Sequence, residues 1–324
     1  RASEHLIHQF IPLDVPRYGR RFLDHWRPDA AIFVESEIWP NLMAETSLRQ
    51  VPFCLINARI SERSFSNWQR WPQSARATLA TIDLVLAQSE PYAQRFARLG
   101  ARDVRDIGNL KFDCPAPPFD DNALAAARDS LQGRPCWLAA STHEGEEDLV
   151  AEAHFAIRER FPNLLTIIVP RHPDRAANVA KLLEERWLVT ARRSAAEEIS
   201  AKIDVYIADT MGELGLFYSL ADAAFIGGSL VETGGHNPIE PAQLDCAIVH
   251  GPHVHNFADT YAALDAAGGA VCAATSAELA NQIADLISNQ ERCTAMVAAS
   301  RVELTRNAGS VERALELLAP RFAA

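Results

Sequence analysis

The sequence lacks any apolar run approaching the ~20 residues that a membrane span requires. It also lacks close cysteine pairs. Its six cysteines stand at 54, 114, 136, 246, 272 and 293, which excludes the CxxC spacings of redox and metal sites. Most fall inside apolar runs such as Phe53-Cys54-Leu55 and Val271-Cys272-Ala273, where cysteine behaves as a small buried hydrophobe. That usage predicts reduced thiols in a cytosolic compartment. Glycine is scarce, 15 in 324 residues, which argues against a glycine-rich all-β chain, and 18 prolines are unexceptional. Internal repeats and low-complexity tracts are absent. The composition, 48% hydrophobic and 23% charged, is that of an ordinary globular protein, excluding collagen and disorder. A single core rarely grows past roughly 250–300 residues, so this length predicts two domains. The first residue is Arg1, and no charged-then-apolar leader follows it. The expectation is a processed or truncated product.

The net charge of −11 is unevenly spread. Residues 1–115 hold 15 Lys and Arg against 13 Asp and Glu, and residues 116–324 hold 16 against 29. Fourteen of the fifteen N-terminal cations are Arg, the side chain suited to bidentate phosphate contacts. On charge alone, solvated helix faces account for such a pattern more simply. The asymmetry nevertheless predicts that an anionic partner approaches the N-terminal part.

Short apolar runs alternate with helical stretches. Strands are predicted at residues 30–35, 52–58, 83–89 and 104–108, then at 136–140, 164–170, 205–209, 223–227, 247–250 and 270–274. From Ser276 on, the chain reads as helices only. Between the two sets lies Asp113-Cys114-Pro115-Ala116-Pro117-Pro118, a proline-rich linker. Alternation of strand and helix implies parallel β-α units. The architecture predicted is α/β, two Rossmann-like halves with a ligand in the cleft between them. The domains expected are residues 1–112, a hinge at 113–120, and residues 121–324 including the terminal helices.

In parallel α/β sheets, function gathers at the carboxyl ends of strands, where helix N-termini expose N–H groups. Six strand ends carry polar clusters. Ser141-Thr142-His143-Glu144-Gly145-Glu146 reads as a capping box, with Ser141 or Thr142 as N-cap. Pro170-Arg171-His172-Pro173 frames a cation between prolines, so that Arg171 either neutralises a phosphate or pairs with a neighbouring helix. In Asp209-Thr210-Met211-Gly212-Glu213, Gly212 lets the backbone approach a flat ligand such as a base. The densest cluster, residues 227–241, places Gly227, Gly228, Gly234 and Gly235 in a segment suited to cradling phosphate. It then reads Asn237 as N-cap, Pro238 as N1 and Glu240 at N3, with Glu240 serving either reciprocal capping or a ribose diol. It is neither a GxGxxG nor a Walker loop. Further upstream, Glu35-Ser36-Glu37-Ile38-Trp39-Pro40-Asn41 and Asn57-Ala58-Arg59-Ile60-Ser61-Glu62-Arg63-Ser64 end two strands. Phe65, Trp68, Arg70, Trp71 and Arg76 then suit either a membrane surface or an ordinary helix packed by its aromatic face.

Taken together, ESEIWPN, NARISERS, GNLKFD, ASTHEGEE, PRHPDR, DTMGEL and GGSLVETGGHNPIEP, in that order from residue 35 to about 241, resemble the 3-deoxy-D-manno-octulosonic acid (Kdo) transferases of lipopolysaccharide synthesis. HGPHVHNF, which follows, also fits. The resemblance implies a GT-B glycosyltransferase that moves Kdo from CMP-Kdo to a lipid A precursor of the lipid IVA type. It implies inversion by direct displacement, without a metal or other cofactor, at an anionic membrane surface on the cytoplasmic face of the bacterial inner membrane, with no nucleic-acid partner. By the same analogy Pro170, Arg171, Met211, Gly212, Glu213, Asn237, Pro238, Ile239 and Glu240 contact CMP, and Glu35 and Lys111 support the transition state. A cation at Lys111 is physically sensible, because departing CMP leaves negative charge.

The family pattern also has an early His-x-x-Ser-x-Gly-Glu segment whose Glu deprotonates the acceptor. Here Gly-Glu occurs only at 145–146 and 212–213, inside other motifs. The expectation is therefore an incomplete N-terminal domain lacking that base and the family's membrane anchor, with the fragment itself inactive. Two other readings stay open: a CMP-binding module without transfer activity, and another GT-B enzyme such as a UDP-sugar epimerase or transferase.

Overall fold

A computed structural model describes residues 5–322. The chain divides into two compact units. One holds the described residues up to Cys114 together with those from Asn307 onward; the other is Pro115–Arg306.

The first unit contains a parallel sheet of four strands in sequential order, β1 (Ala31–Val34), β2 (Phe53–Ala58), β3 (Leu84–Ala87) and β4 (Val104–Asp106). Alternation along β2 sends Phe53 and Leu55 into one apolar layer and Cys54 into another. The second layer is completed by Ala314 and Leu318 of the helix Ser310–Phe322. Residues 307–322 therefore belong with the first unit, not with the second as chain order suggested. The physical reason is this apolar face, reinforced by Asp113, whose carboxylate accepts the N–H groups of Gly309 (2.6 Å) and Val311 (2.8 Å) at the helix start.

The second unit is a seven-stranded parallel sheet ordered β11-β10-β9-β5-β6-β8-β7. Its strands are β5 (Cys136–Thr142), β6 (Leu165–Pro170), β7 (Thr190–Arg192), β8 (Val205–Ile207), β9 (Ala223–Ile226), β10 (Ala247–His250) and β11 (Ala270–Cys272). Cys136, Leu138 and Ala140 face one core, and Trp137 and Ala139 face the other. Both faces of this central strand are covered, as a parallel sheet requires. β7 escapes a reading by apolar runs because it is a short edge strand carrying Thr190 and Arg192. Cys272, expected inside, ends the other edge strand and is exposed; all six cysteines are free thiols. Among the described residues no helix is long and apolar enough to cross a membrane.

Candidate active site

The chain runs outward from β5 in both directions, so the strand order switches between β5 and β9. At such a switch the loops after neighbouring strands diverge and leave a crevice at their carboxyl ends. A cavity of about 320 Å³ lies there, lined from β5 by Ser141, after β6 by Pro170, Arg171 and Pro173, and after β8 by Thr210, Met211 and Gly212. His236, Asn237 and Glu240 close it from the loop after β9. Leu214, Phe217 and Tyr218, from the helix Leu214–Leu220, add an apolar wall. Burial pushes the Tyr218 phenol well up, so its hydroxyl remains protonated.

The cavity gathers six of the nine residues that the resemblance placed against CMP: Pro170, Arg171, Met211, Gly212, Asn237 and Glu240. Pro238, Ile239 and Glu213 are not in its lining. Ile239 is buried in the core and accordingly packs inward. Glu213 is held by Arg193 at 2.6 Å and by the Thr210 hydroxyl, which hold its pKa below the ordinary carboxylate value. Asn237 Oδ1 accepts the Ile239 N–H at 3.1 Å, and its Nδ2 donates to Glu240 at 3.1 Å. The short helix starts one residue later than expected, at Ile239.

Arg171 and Arg175 part company. Arg175 forms a bidentate pair with buried Glu147, at 2.9 and 3.1 Å, and thereby takes the helix-pairing role considered for Arg171. The Arg171 guanidinium has no hydrogen-bond or ion-pair partner among the described residues and stands on the cavity rim.

The capping box at 141–146 is not what forms. Ser141 is left-handed (φ 57°), and the helix Glu146–Arg158 begins behind Gly145 with no side-chain cap. Glu146 instead reaches across the sheet ends. Its carboxylate accepts the N–H groups of His143 (2.9 Å), Gly228 (2.7 Å), Ser229 (3.0 Å) and Leu230 (3.0 Å). The N–H cradle read at Gly228 is therefore filled by a carboxylate of the chain itself. Burial raises the Glu146 pKa, but each carboxylate oxygen already accepts two N–H donors and leaves no lone pair for a proton. We conclude that it is ionised at neutral pH. Gly227 permits the crossing, since a Cβ there would stand 2.5 Å from the Ser141 carbonyl oxygen.

In the first unit, Glu35 is left-handed (φ 62°) at the end of β1. Its carboxylate accepts Lys111 Nζ at 2.6 Å and Arg59 Nε at 3.1 Å. Burial raises its pKa, but the Lys111 contact and the two cations outweigh burial and hold it below the ordinary value. Lys111 sits in the 3-10 turn Leu110–Asp113, started by Asn109 and tied to β2 by Asn57 Oδ1, which accepts the Leu110 N–H at 3.0 Å. Sequence reasoning missed these supports, along with Asp113 as a helix cap. The density of acids in THEGEE was the available signal for Glu146 and Glu147. Of the upstream aromatics, Phe65 is buried and Trp68 packs against the same core, as an ordinary helix would have it, whereas Trp71 is 71% exposed.

Residues 1–114 match the family described as 3-Deoxy-D-manno-octulosonic-acid transferase (kdotransferase). A 3-deoxy-D-manno-octulosonic acid transferase of Haemophilus influenzae is 35% identical, over 98% of this chain and 75% of that protein. The chain belongs to the Kdo transferase family. A Bordetella pertussis Kdo transferase is 36% identical, over 95% of this chain and 73% of its own length. The crystal structure of the C-terminal CMP-Kdo binding domain of WaaA from Acinetobacter baumannii is similar to this chain at 32% identity and a TM-score of 0.54, covering 57% of this chain and 99% of that domain. UDP-GlcNAc 2-epimerase from Neisseria meningitidis, bound to UDP-GlcNAc, shares the fold alone: 14% identity, TM-score 0.54, 90% of this chain and 80% of that one. The fold is GT-B, built from two Rossmann-like units. Among the described residues, no cluster of three or more His, Cys, Asp or Glu side chains is arranged to hold a metal ion.

Proposed function

We propose that the chain binds CMP-Kdo in the cavity of its second unit and transfers Kdo to a lipid A precursor of the lipid IVA type, at the cytoplasmic face of the bacterial inner membrane. The observation that carries this reading is the unpartnered Arg171 guanidinium on the rim of the crevice at the strand-order switch. It is suited to a phosphate, to which it offers charge-assisted hydrogen bonds. Phe217 and Leu214 offer an apolar wall to the cytosine, and Gly212 (φ +84°) has no side chain to keep a base away. Glu240 accepts hydrogen bonds from the ribose diol.

The reaction is a direct displacement with inversion at the anomeric carbon, metal-independent: the acceptor hydroxyl attacks as CMP leaves and gives up its proton to a base that is not assigned among the described residues. Arg171 meets the charge that develops on the departing phosphate. We assign Glu35 and Lys111 to transition-state support: a fixed ionised carboxylate opposes developing positive charge, and a fixed ammonium opposes developing negative charge. Neither Gly-Glu carboxylate is free to act as the base, because Glu146 is saturated with N–H donors and Glu213 is engaged by Arg193 and Thr210. The arginine-rich N-terminal part suits the approach to an anionic membrane surface.

The test is incubation with CMP-Kdo labelled in the sugar and a lipid A precursor, in the presence of a chelator. CMP-Kdo binding is expected in either case; label in the lipid, with inverted anomeric configuration by NMR, would show that the chain completes transfer although no acceptor base is assigned among its described residues. Binding of CMP without transfer would leave a nucleotide-binding module.

A further inference from the structure

Two histidine rings meet beside Arg171. His143 Nε2 and His236 Nε2 are 2.7 Å apart, and the ring planes differ by 5°. A nitrogen–nitrogen contact this short holds a proton, because one Nε2 must donate while the other offers its lone pair. The rings come from different loops, and both backbones are pinned. His143 N–H donates to Glu146, and the Tyr261 hydroxyl donates to the His236 carbonyl at 2.8 Å. Gly228 (φ +68°) leaves the space: a Cβ there would press within 3.2 Å of His236 Cδ2 and 3.4 Å of His143 Cδ2. His236 lines the cavity together with Arg171.

The charges around the pair act on its protonation. Arg171 and His172, after β6, and Arg175, in the turn Pro173–Arg175, all oppose a positive charge on it. On the helix Glu146–Arg158, Glu147 favours that charge but is committed to Arg175, and Glu146 is committed to four N–H groups. Glu240, from the short helix Ile239–Gln243, lines the same cavity, and Tyr261 contributes only its hydroxyl. Burial first, then repulsion from His143, Arg171 and His172, pushes His236 down to about 4, and burial first, then His172, Arg175 and Arg171, lowers His143 as well. The pair is therefore neutral at neutral pH in the absence of an anion.

We propose that the His143–His236 pair takes up one proton from solvent when a phosphate anion binds against Arg171, and that it holds the resulting charge beside that phosphate. The incoming proton goes to the free Nδ1 of the ring whose Nε2 is already protonated, and the bridging proton stays between the rings. An anion at Arg171 offsets one of the charges that oppose protonation and itself favours a positive charge on the pair, so binding and protonation strengthen each other. The two histidines are positioning residues for the phosphate, supplying a cation only when an anion is there to meet it. This inference rests on the reading of the cavity as the donor-nucleotide site.

The test is titration calorimetry of the full chain with cytidine 5′-(methyl phosphate), a phosphodiester that does not titrate near neutrality. It is run at about pH 6.5, close to the ordinary histidine pKa, in buffers of different ionisation enthalpy. The dependence of the heat on the buffer counts the protons taken up. A sizeable fraction of one proton per ligand is expected, with affinity rising by up to about tenfold per unit as pH falls. Both effects should vanish in His143→Gln and His236→Gln and persist in His172→Gln. In the unmodified protein, the ¹⁵N shifts of the paired imidazoles should move to the imidazolium pattern on adding the ester, a readout that needs no variant. Binding without proton uptake, imidazoles that stay neutral, or uptake lost only in His172→Gln would overturn the inference. Absence of ester binding at every pH would instead overturn the nucleotide-site reading beneath it.

Discussion

Glu35 is held from two sides within the first unit. It holds a left-handed backbone and two cations, Lys111 at 2.6 Å and Arg59 at 3.1 Å. Because its folded pKa is depressed, the pair contributes stability that is intact above the ordinary carboxylate value and is lost as pH falls through the lower folded value. In Lys111→Met, NMR titration of the Glu35 carboxyl should show its midpoint shifted upward, and the acid limb of the stability profile should flatten. A midpoint that does not move would mean that Arg59 alone sets it. At this scale Arg171 and Gly212 stood out because they follow apolar runs, and Glu240 because it follows a glycine-rich segment and Asn237-Pro238; all three line the cavity. Which of Arg171 and Arg175 would pair was not legible, since that depends on where the buried Glu147 points.

Strands and helices were legible wherever an apolar run marked them, as at Ala247–His250, and illegible where the edge of the sheet needs none, as at Thr190–Arg192. The turn after β5 shows a different limit. Read locally, its acids cap a helix; in the fold, Glu146 binds N–H groups more than eighty residues away. Glu146→Gln replaces one acceptor oxygen by an amide that faces N–H donors. The expected cost is about 3 kcal/mol, the order of losing charge-assisted hydrogen bonds and leaving buried donors unpaired. Denaturant unfolding measures it. CMP affinity should fall with it, because His236, Asn237 and Glu240 follow from the loop that Glu146 holds.

The whole chain resolves into two units, and its last helix belongs to the first. Chain order could not show this, because the decision lies in the packing of Ala314 and Leu318 on Cys54, Leu84 and Leu86. Asp113 fixes the start of that helix through two N–H groups. Asp113→Ala should cost about 1–2 kcal/mol, the scale of a lost N-terminal cap. Hydrogen exchange should show faster opening in Ser310–Phe322 with unchanged protection in Pro115–Arg306. Equal loosening of both units would contradict the division.

The proposed function requires the cavity at the β5–β9 switch to be a cytidine nucleotide site. Its most direct test is equilibrium binding of CMP and of UDP to the unmodified chain, to Arg171→Ala and to Glu240→Ala. CMP should bind more tightly than UDP, and each substitution should weaken CMP by roughly 10- to 100-fold, the value of a hydrogen bond to a charged group. Unchanged CMP affinity in both variants, or tighter binding of UDP, would contradict it.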